Sequence, residues 1–251
     1  MKYLQIFFLL VFSFALPAET KIDYYVNLGG IKIADANFIL EANDSKWSLK
    51  TEVEAAGIVD VFVKFISTTN SQGTINNNKL EPELYEFSYL TGRGGSRKGS
   101  ITYENKIPIK LDAEPNYEDS EKPSLEFLEK YGSNSNDPYS ALLVHGSYKD
   151  PCRFNAQGFD GLRSFKTVFV RSAKEEKIKI DNKEFLVSKC IGYFDPIVGY
   201  KQSDFLDEIS QPGSVRYWFK YFNTLNLWVP IKVIIDTPLG GFVLKATALK
   251  N

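Results

Sequence analysis

Nucleophilic catalysis needs a base beside its nucleophile, and the chain offers one histidine, His145, for that role. Any Ser-His-Asp arrangement must therefore run through His145. No G-x-S-x-G elbow accompanies it, and it follows Leu142, Leu143 and Val144 at an expected helix end, where an imidazole simply meets exposed carbonyls. Carboxylates for glycoside cleavage would come from Glu114, Glu118, Asp119 and Glu121 or from Asp160, but the acidic cluster reads as a solvated loop. No patterned run of oxygen ligands such as an EF-hand loop occurs, so neither a metal nor a cofactor is expected. The stretch Gly92 to Gly99 sets Arg93, Arg97 and Lys98 among glycines, where backbone N–H groups and guanidinium forks suit a phosphate or an anionic glycan. Strand patterns flank it on both sides, unlike a nucleotide site, and a flexible hairpin is the alternative reading. Asp160 and Arg163 stand three apart around Gly161, a spacing for an ion pair closing a turn, with ligand contact as its alternative. The candidate ligand-binding residues are thus Arg93, Arg97, Lys98, Asp160 and Arg163, and no residue is assigned a catalytic role.

The elements that must position these groups are strands. Ile22, Tyr24, Val26 and Leu28 alternate apolar with polar neighbours and run into Gly29-Gly30, a pair that tolerates positive φ and marks a hairpin. A second strand follows from Ile31 through Ala36, Phe38 and Leu40, and a third over Trp47 to Val53. Val59 to Thr69 reads as one long β-branched strand, and Asn76 to Asn78 as a turn into Tyr85, Phe87 and Tyr89. Ile101 to Leu111 resumes a strand pattern interrupted by Pro108, and Asp112 to Lys122 is acidic and proline-bearing, hence a loop. Ser124 to Tyr131 suits a short helix. Asp137 to Gly146 suits another, with Asp137 as N-cap, Pro138 at the first position and Gly146 as stop. Strand patterns return around Phe165 to Phe169, at Ile178 and Ile180, across the Asp181-Asn182 turn to Phe185 and Val187, and over Arg216–Phe222, Trp228–Ile235 and Phe242–Leu249. About eleven to thirteen antiparallel strands, with short helices confined to a central insert, make an all-β sandwich, barrel or strongly curved half-barrel.

Composition bounds the partners. The 251 residues carry 30 Lys plus Arg against 31 Asp plus Glu, so no broad electrostatic capture of nucleic acid is expected. Aromatic residues make up 14% of the chain and supply a large core or a lined pocket. Lys2, the apolar run Leu4 to Leu16 and the small residues Ala15 and Ala18 have the layout of a secretory signal peptide over 1–18, leaving one domain over 19–251. That apolar run of about 13 residues is too short to cross a bilayer as a helix. An outer-membrane barrel is disfavoured because Lys32, Lys50, Lys64 and Lys220 interrupt strands and no aromatic residue ends the chain. The expected setting is the periplasm of a Gram-negative bacterium. In that oxidising compartment Cys152 and Cys190 most simply form one disulfide; a redox or metal site is the competing reading.

Several blocks together are similar to an exported bacterial family of unknown function, DUF3108: Tyr24-Tyr25-Val26-Asn27-Leu28-Gly29-Gly30-Ile31, Ala55 to Asp60, Asp137 to Leu143, Phe159-Asp160-Gly161-Leu162-Arg163, Lys189-Cys190, Leu227 to Lys232 and Leu239 to Gly241. The resemblance covers nearly the whole mature chain and implies a curved antiparallel sheet, a half-barrel or incomplete barrel like those that hold apolar ligands. It implies no established activity. The functional expectation is a non-enzymatic carrier for a lipid or lipid-linked glycan. The alternatives are an envelope assembly factor that docks proteins along a sheet edge and a hydrolase working through Asp160, His145 or the acidic loop.

Overall fold

The computed structural model describes residues 18–57, 60, 64–92 and 94–250. The expected leader as far as Pro17, most of the Val59 to Val63 run and Arg93 lie outside the described residues. One antiparallel sheet dominates. Its strands are β1 (Ala18–Leu28), β2 (Ile31–Ala42), β3 (Lys46–Ala55), β4 (Phe65–Asn76), β5 (Lys79–Thr91), β6 (Ser96–Glu104), β7 (Ile107–Glu114), β8 (Val144–His145), β9 (Ala156–Phe159), β10 (Ser164–Phe169), β11 (Lys174–Ile180), β12 (Lys183–Val198), β13 (Val215–Phe222), β14 (Leu227–Ile235) and β15 (Phe242–Lys250). The order across the sheet is β7-β6-β5-β4-β3-β2-β1-β15-β14-β13-β12-β10-β9, with β11 on β12 and β8 on β14.

Local chemistry explains the hairpins. Gly29 and Gly30 take φ of 56° and 85°, Asn77 and Asn78 49° and 62°, and Asp181 and Asn182 45° and 61°. These are the paired positive values that two-residue turns matching the strand twist require. The same device occurs at Asn105 and Lys106 (φ 51° and 68°), so the Ile101 to Leu111 pattern is not one strand broken at Pro108 but the hairpin β6–β7. Pro108 is accommodated opposite Tyr103, where the register shifts.

Other expectations need correction. β6 begins at Ser96, so Arg97 and Lys98 are strand residues, and β7 extends through Asp112 to Glu114, shortening both loops. In the described part of the Val59 to Thr69 run, Asp60 is helical and the strand starts only at Phe65. Ser124 does cap a helix, α1 (Leu125–Gly132), accepting from the Phe127 N–H at 3.1 Å. Asp137 does not cap a full helix: its carboxylate accepts from the N–H groups of Tyr139 and Ser140, and the turn ends after a single 3-10 stretch, Ser140–Leu142. His145 then enters β8 opposite Leu227. Pairing with β14 satisfies the backbone that a helix would have satisfied internally. A second helix, α2 (Asp204–Ile209), stands outside the central insert, between β12 and β13, with Ser203 as its cap.

Among the described residues the sheet does not close by strand pairing. Its two ends, β7 and β9, are bridged by α1, which packs on both. Gly132 of that helix is so tightly held that an added Cβ would lie 2.5 Å from Pro108 Cγ and 2.7 Å from Phe159 Cδ1. Around this seam Tyr85, Ile101, Tyr103, Leu128 and Phe159 form a buried cluster, and Phe159, fully buried, contributes about 1.5–3 kcal/mol. A larger cluster joins Ile22, Tyr24 and Leu49 of the N-terminal strands to Trp218, Phe222 and Ile231. Across it the Tyr24 hydroxyl donates to the Pro230 carbonyl at 3.0 Å.

Candidate functional site

The inner face of β1 to β3, together with β14, β15 and the Pro138 to Leu142 segment, encloses a cavity of about 410 Å³ whose wall is built of apolar side chains, with Val26, Ala36, Phe38, Val53, Val233 and Leu244 among them. Small residues make the room: Ala34, Ala36 and Ala55 are buried yet leave space above them. Between Val26–Ala34 and Asn27–Lys32 the register skips Ile33, a bulge that turns both Ile33 and Ala34 toward the cavity. Strict alternation would have sent one of them outward.

Register also decides which candidate cations belong here. Side chains directly opposite on neighbouring strands share a face, and one such row reads Ala36, Val53, Ser67, Tyr89, Arg97. Arg97 therefore points to the face that carries the cavity, three strands from Val53, or about 14 Å. Lys98, one residue on, points to the other face and pairs with Glu114 at 2.7 Å. Arg97 stacks over the Tyr117 ring, Cζ to centroid 4.3 Å, and its Nε is buried with no hydrogen-bond partner.

Asp160 and Arg163 close the β9–β10 turn. Asp160 accepts from the Leu162 and Arg163 N–H groups at 3.0 and 2.7 Å and from Arg163 Nε at 2.8 Å. Arg163 leans toward the Tyr200 ring at 6.0 Å. Burial, reinforced by Asp160, pushes the Tyr200 phenol up to about 12. The Tyr117 phenol is raised by burial, with Arg97 opposing and Asp160 adding to the shift. Arg97 and the Asp160–Arg163 pair, far apart in sequence, thus meet around two tyrosines. Neither tyrosine stood out in the sequence; Tyr117 sits inside the acidic loop, where an aromatic residue two positions after Pro115 was the available sign.

The family model described as a protein of unknown function, DUF3108, matches residues 22–247. The chain belongs to the DUF3108 family. No curated protein matches it. Among solved structures it is similar to the crystal structure of a beta-barrel-like protein of domain of unknown function DUF1849 from Brucella abortus, with a TM-score of 0.44 and 8% identity over 93% of this chain and 97% of that one.

Two other features of this DUF3108 member bear on chemistry. His145 Nδ1 lies 3.0 Å from Ser147 Oγ and 3.2 Å from the Ser147 N–H, while Nε2 lies 3.3 Å from Asn226 Nδ2. Burial lowers its pKa. Among the described residues its hydrogen-bond partners are Ser147 and Asn226, with no carboxylate to orient it as a general base. Asp137 is fully buried beside the cavity wall, and burial raises its pKa despite hydrogen bonds from Ser140. Ser71 faces it without a well-formed hydrogen bond, and the nearby Tyr103 hydroxyl is also buried without a partner. Cys152 and Cys190 form the expected disulfide, Cα–Cα 5.3 Å, tying the Pro151–Arg153 turn to β12. No group of three or more His, Cys, Asp and Glu side chains suited to a metal ion occurs among the described residues, and no helix there is long and apolar enough to cross a membrane.

Proposed function

We propose that this chain is a non-enzymatic binding protein of the Gram-negative periplasm that shelters the apolar part of an amphipathic envelope molecule, a lipid or lipid-linked glycan. The observation that carries the reading is the shared inner face of the apolar cavity and Arg97. A cavity of about 410 Å³ falls within the roughly 300–1,000 Å³ typical of small-molecule sites, which combine apolar walls with few polar anchors. The apolar part occupies the cavity, and an anionic or hydroxyl-rich head lies toward Arg97, Tyr117 and Arg163. The leader-like N-terminus and the Cys152–Cys190 bond suit an oxidising compartment.

The test is native mass spectrometry of the chain purified from a bacterial periplasm without detergent, together with titration of the purified chain by cis-parinaric acid, a fluorescent fatty acid. Uptake is expected in the wild type and in Lys98→Ala. It falls at least tenfold in Ala36→Trp, which fills the cavity, and severalfold in Arg97→Met. A wild-type chain that carries no extra mass and takes up no probe sinks the proposal, and so does an Ala36→Trp chain that folds and binds as well as wild type.

A further inference from the structure

The opposite face of the sheet carries an arrangement that the cavity does not use. Across β15, β14, β13 and β12, Lys245 stands opposite Lys232, Lys232 opposite Trp218, and Trp218 opposite Lys189. Tyr25 of β1 extends the row beside Lys245. These side chains point away from the cavity, because their chain neighbours Val26, Val233 and Leu244 line it and successive strand residues alternate. Lys232 Nζ lies 4.3 Å and Lys189 Nζ 5.0 Å from the centroid of the Trp218 ring, so two ammonium groups are held against one indole.

Like charges set directly opposite one another destabilise a sheet. Glu176, beside the Lys189 end of the row, is engaged, accepting from Trp218 Nε1 at 2.9 Å and from Lys189 Nζ at 3.2 Å, and Asp35, opposite Tyr25 at the other end, pairs with Lys32 at 2.8 Å. Arg216 and Asp236 satisfy each other through two hydrogen bonds of 2.9 and 2.5 Å. Lys232 and Lys245 have no carboxylate partner among the described residues. Both are half-buried rather than freely solvated. Burial first, then Lys245 and Lys189, hold the Lys232 pKa below its ordinary value. Two neighbouring cations without a carboxylate partner, one of them held against an aromatic ring, form a receptor prepared for negative charge.

We propose that Lys232 and Lys245, flanked by Tyr25 and Trp218, bind a phosphate-type oxyanion, whether free phosphate or the phosphate of a lipid headgroup, on the face opposite the cavity. An oxyanion between the two ammonium groups converts their repulsion into two charge-assisted hydrogen bonds, and the Tyr25 phenol offers a further donor.

The experiment titrates the folded chain with sodium phosphate against sodium chloride at matched ionic strength. Phosphate about tenfold above its Kd is expected to raise Tm by about 4 °C, and the gain disappears in Lys232→Met/Lys245→Met. Without phosphate the Lys232→Met chain is expected to melt no lower than wild type, since a like-charge contact has gone, which shows that the variant folds. Flotation with phosphatidylglycerol and with phosphatidylcholine vesicles separates the sources. A Tm response without vesicle binding assigns the site to free phosphate, and selective binding to phosphatidylglycerol that the double variant loses assigns it to a headgroup. A wild-type chain that shows neither response, or a double variant that keeps both, overturns the proposal.

Discussion

The strands β1 to β7 pair in chain order, whereas β8 to β15 also reach partners across the sequence: β14 takes the two-residue β8, β12 pairs with β10 as well as with β11 and β13, and β15 returns to β1. The first region is a meander in which the β1–β2, β4–β5 and β6–β7 registers are set locally by turn residues at positive φ. The second depends on long-range ties, chief among them the Cys152–Cys190 bond between residues 38 apart. The contrast implies that the two halves fail differently.

The largest expected effect comes from Cys152→Ser/Cys190→Ser. Opening a loop of that size costs about 4 kcal/mol in the chain-entropy model, read as a lower denaturation midpoint that wild type shares only under reductant. Hydrogen exchange should show protection falling first in β9, β12 and β13 while β2 to β5 stay protected. A uniform loss across both halves would break the comparison.

A smaller effect is expected at the Asp137 turn, which joins the halves. Asp137→Ala strands the N–H groups of Tyr139 and Ser140, at a cost of about 2 kcal/mol. Asp137→Asn keeps an acceptor and removes the buried charge. Burial holds the folded pKa of Asp137 above the ordinary carboxylate range, so the folded chain holds this proton more tightly than the unfolded one. The stability associated with the group is therefore full below that range and declines as pH rises through the raised folded pKa. Urea denaturation of wild type and Asp137→Asn across this range should show the decline in wild type alone; parallel curves would remove the buried charge from the account.

The smallest expected effect is Tyr24→Phe, which removes the hydroxyl that reaches from β1 to the Pro230 carbonyl of β14. It should cost about 1 kcal/mol in chemical denaturation. A loss several times larger would show that this contact organises the junction rather than merely spanning it.

These expectations rest unequally on sequence. The hairpins at Gly29-Gly30, Asn77-Asn78 and Asp181-Asn182, the capped helix after Ser124, the disulfide and the Asp160–Arg163 ion pair were all legible, because each follows from residue type at short range or from a pairing with few alternatives. The Asn105-Lys106 turn was hidden by a proline that looked like the breaker, and Asp137 resembled a helix cap because the same carboxylate geometry serves a 3-10 turn. Tyr117 and Tyr200 could not be picked out, since their meeting with Arg97 and Arg163 depends on how the sheet curls.

Sequence by itself determined that this is a chain of antiparallel strands with one disulfide and a set of candidate cations in two short stretches, because alternation and turn chemistry act within a few residues. Only the tertiary structure decided which cations face the cavity. A strand shifted by one residue turns every side chain to the opposite face. The registers of β2 to β6 therefore decide that Arg97 shares a face with Ala36 and Val53 while Lys98 does not. Tertiary structure likewise left the two sheet ends unpaired with α1 between them, because packing Gly132 against Pro108 and Phe159 buries the seam that strand pairing would otherwise have closed.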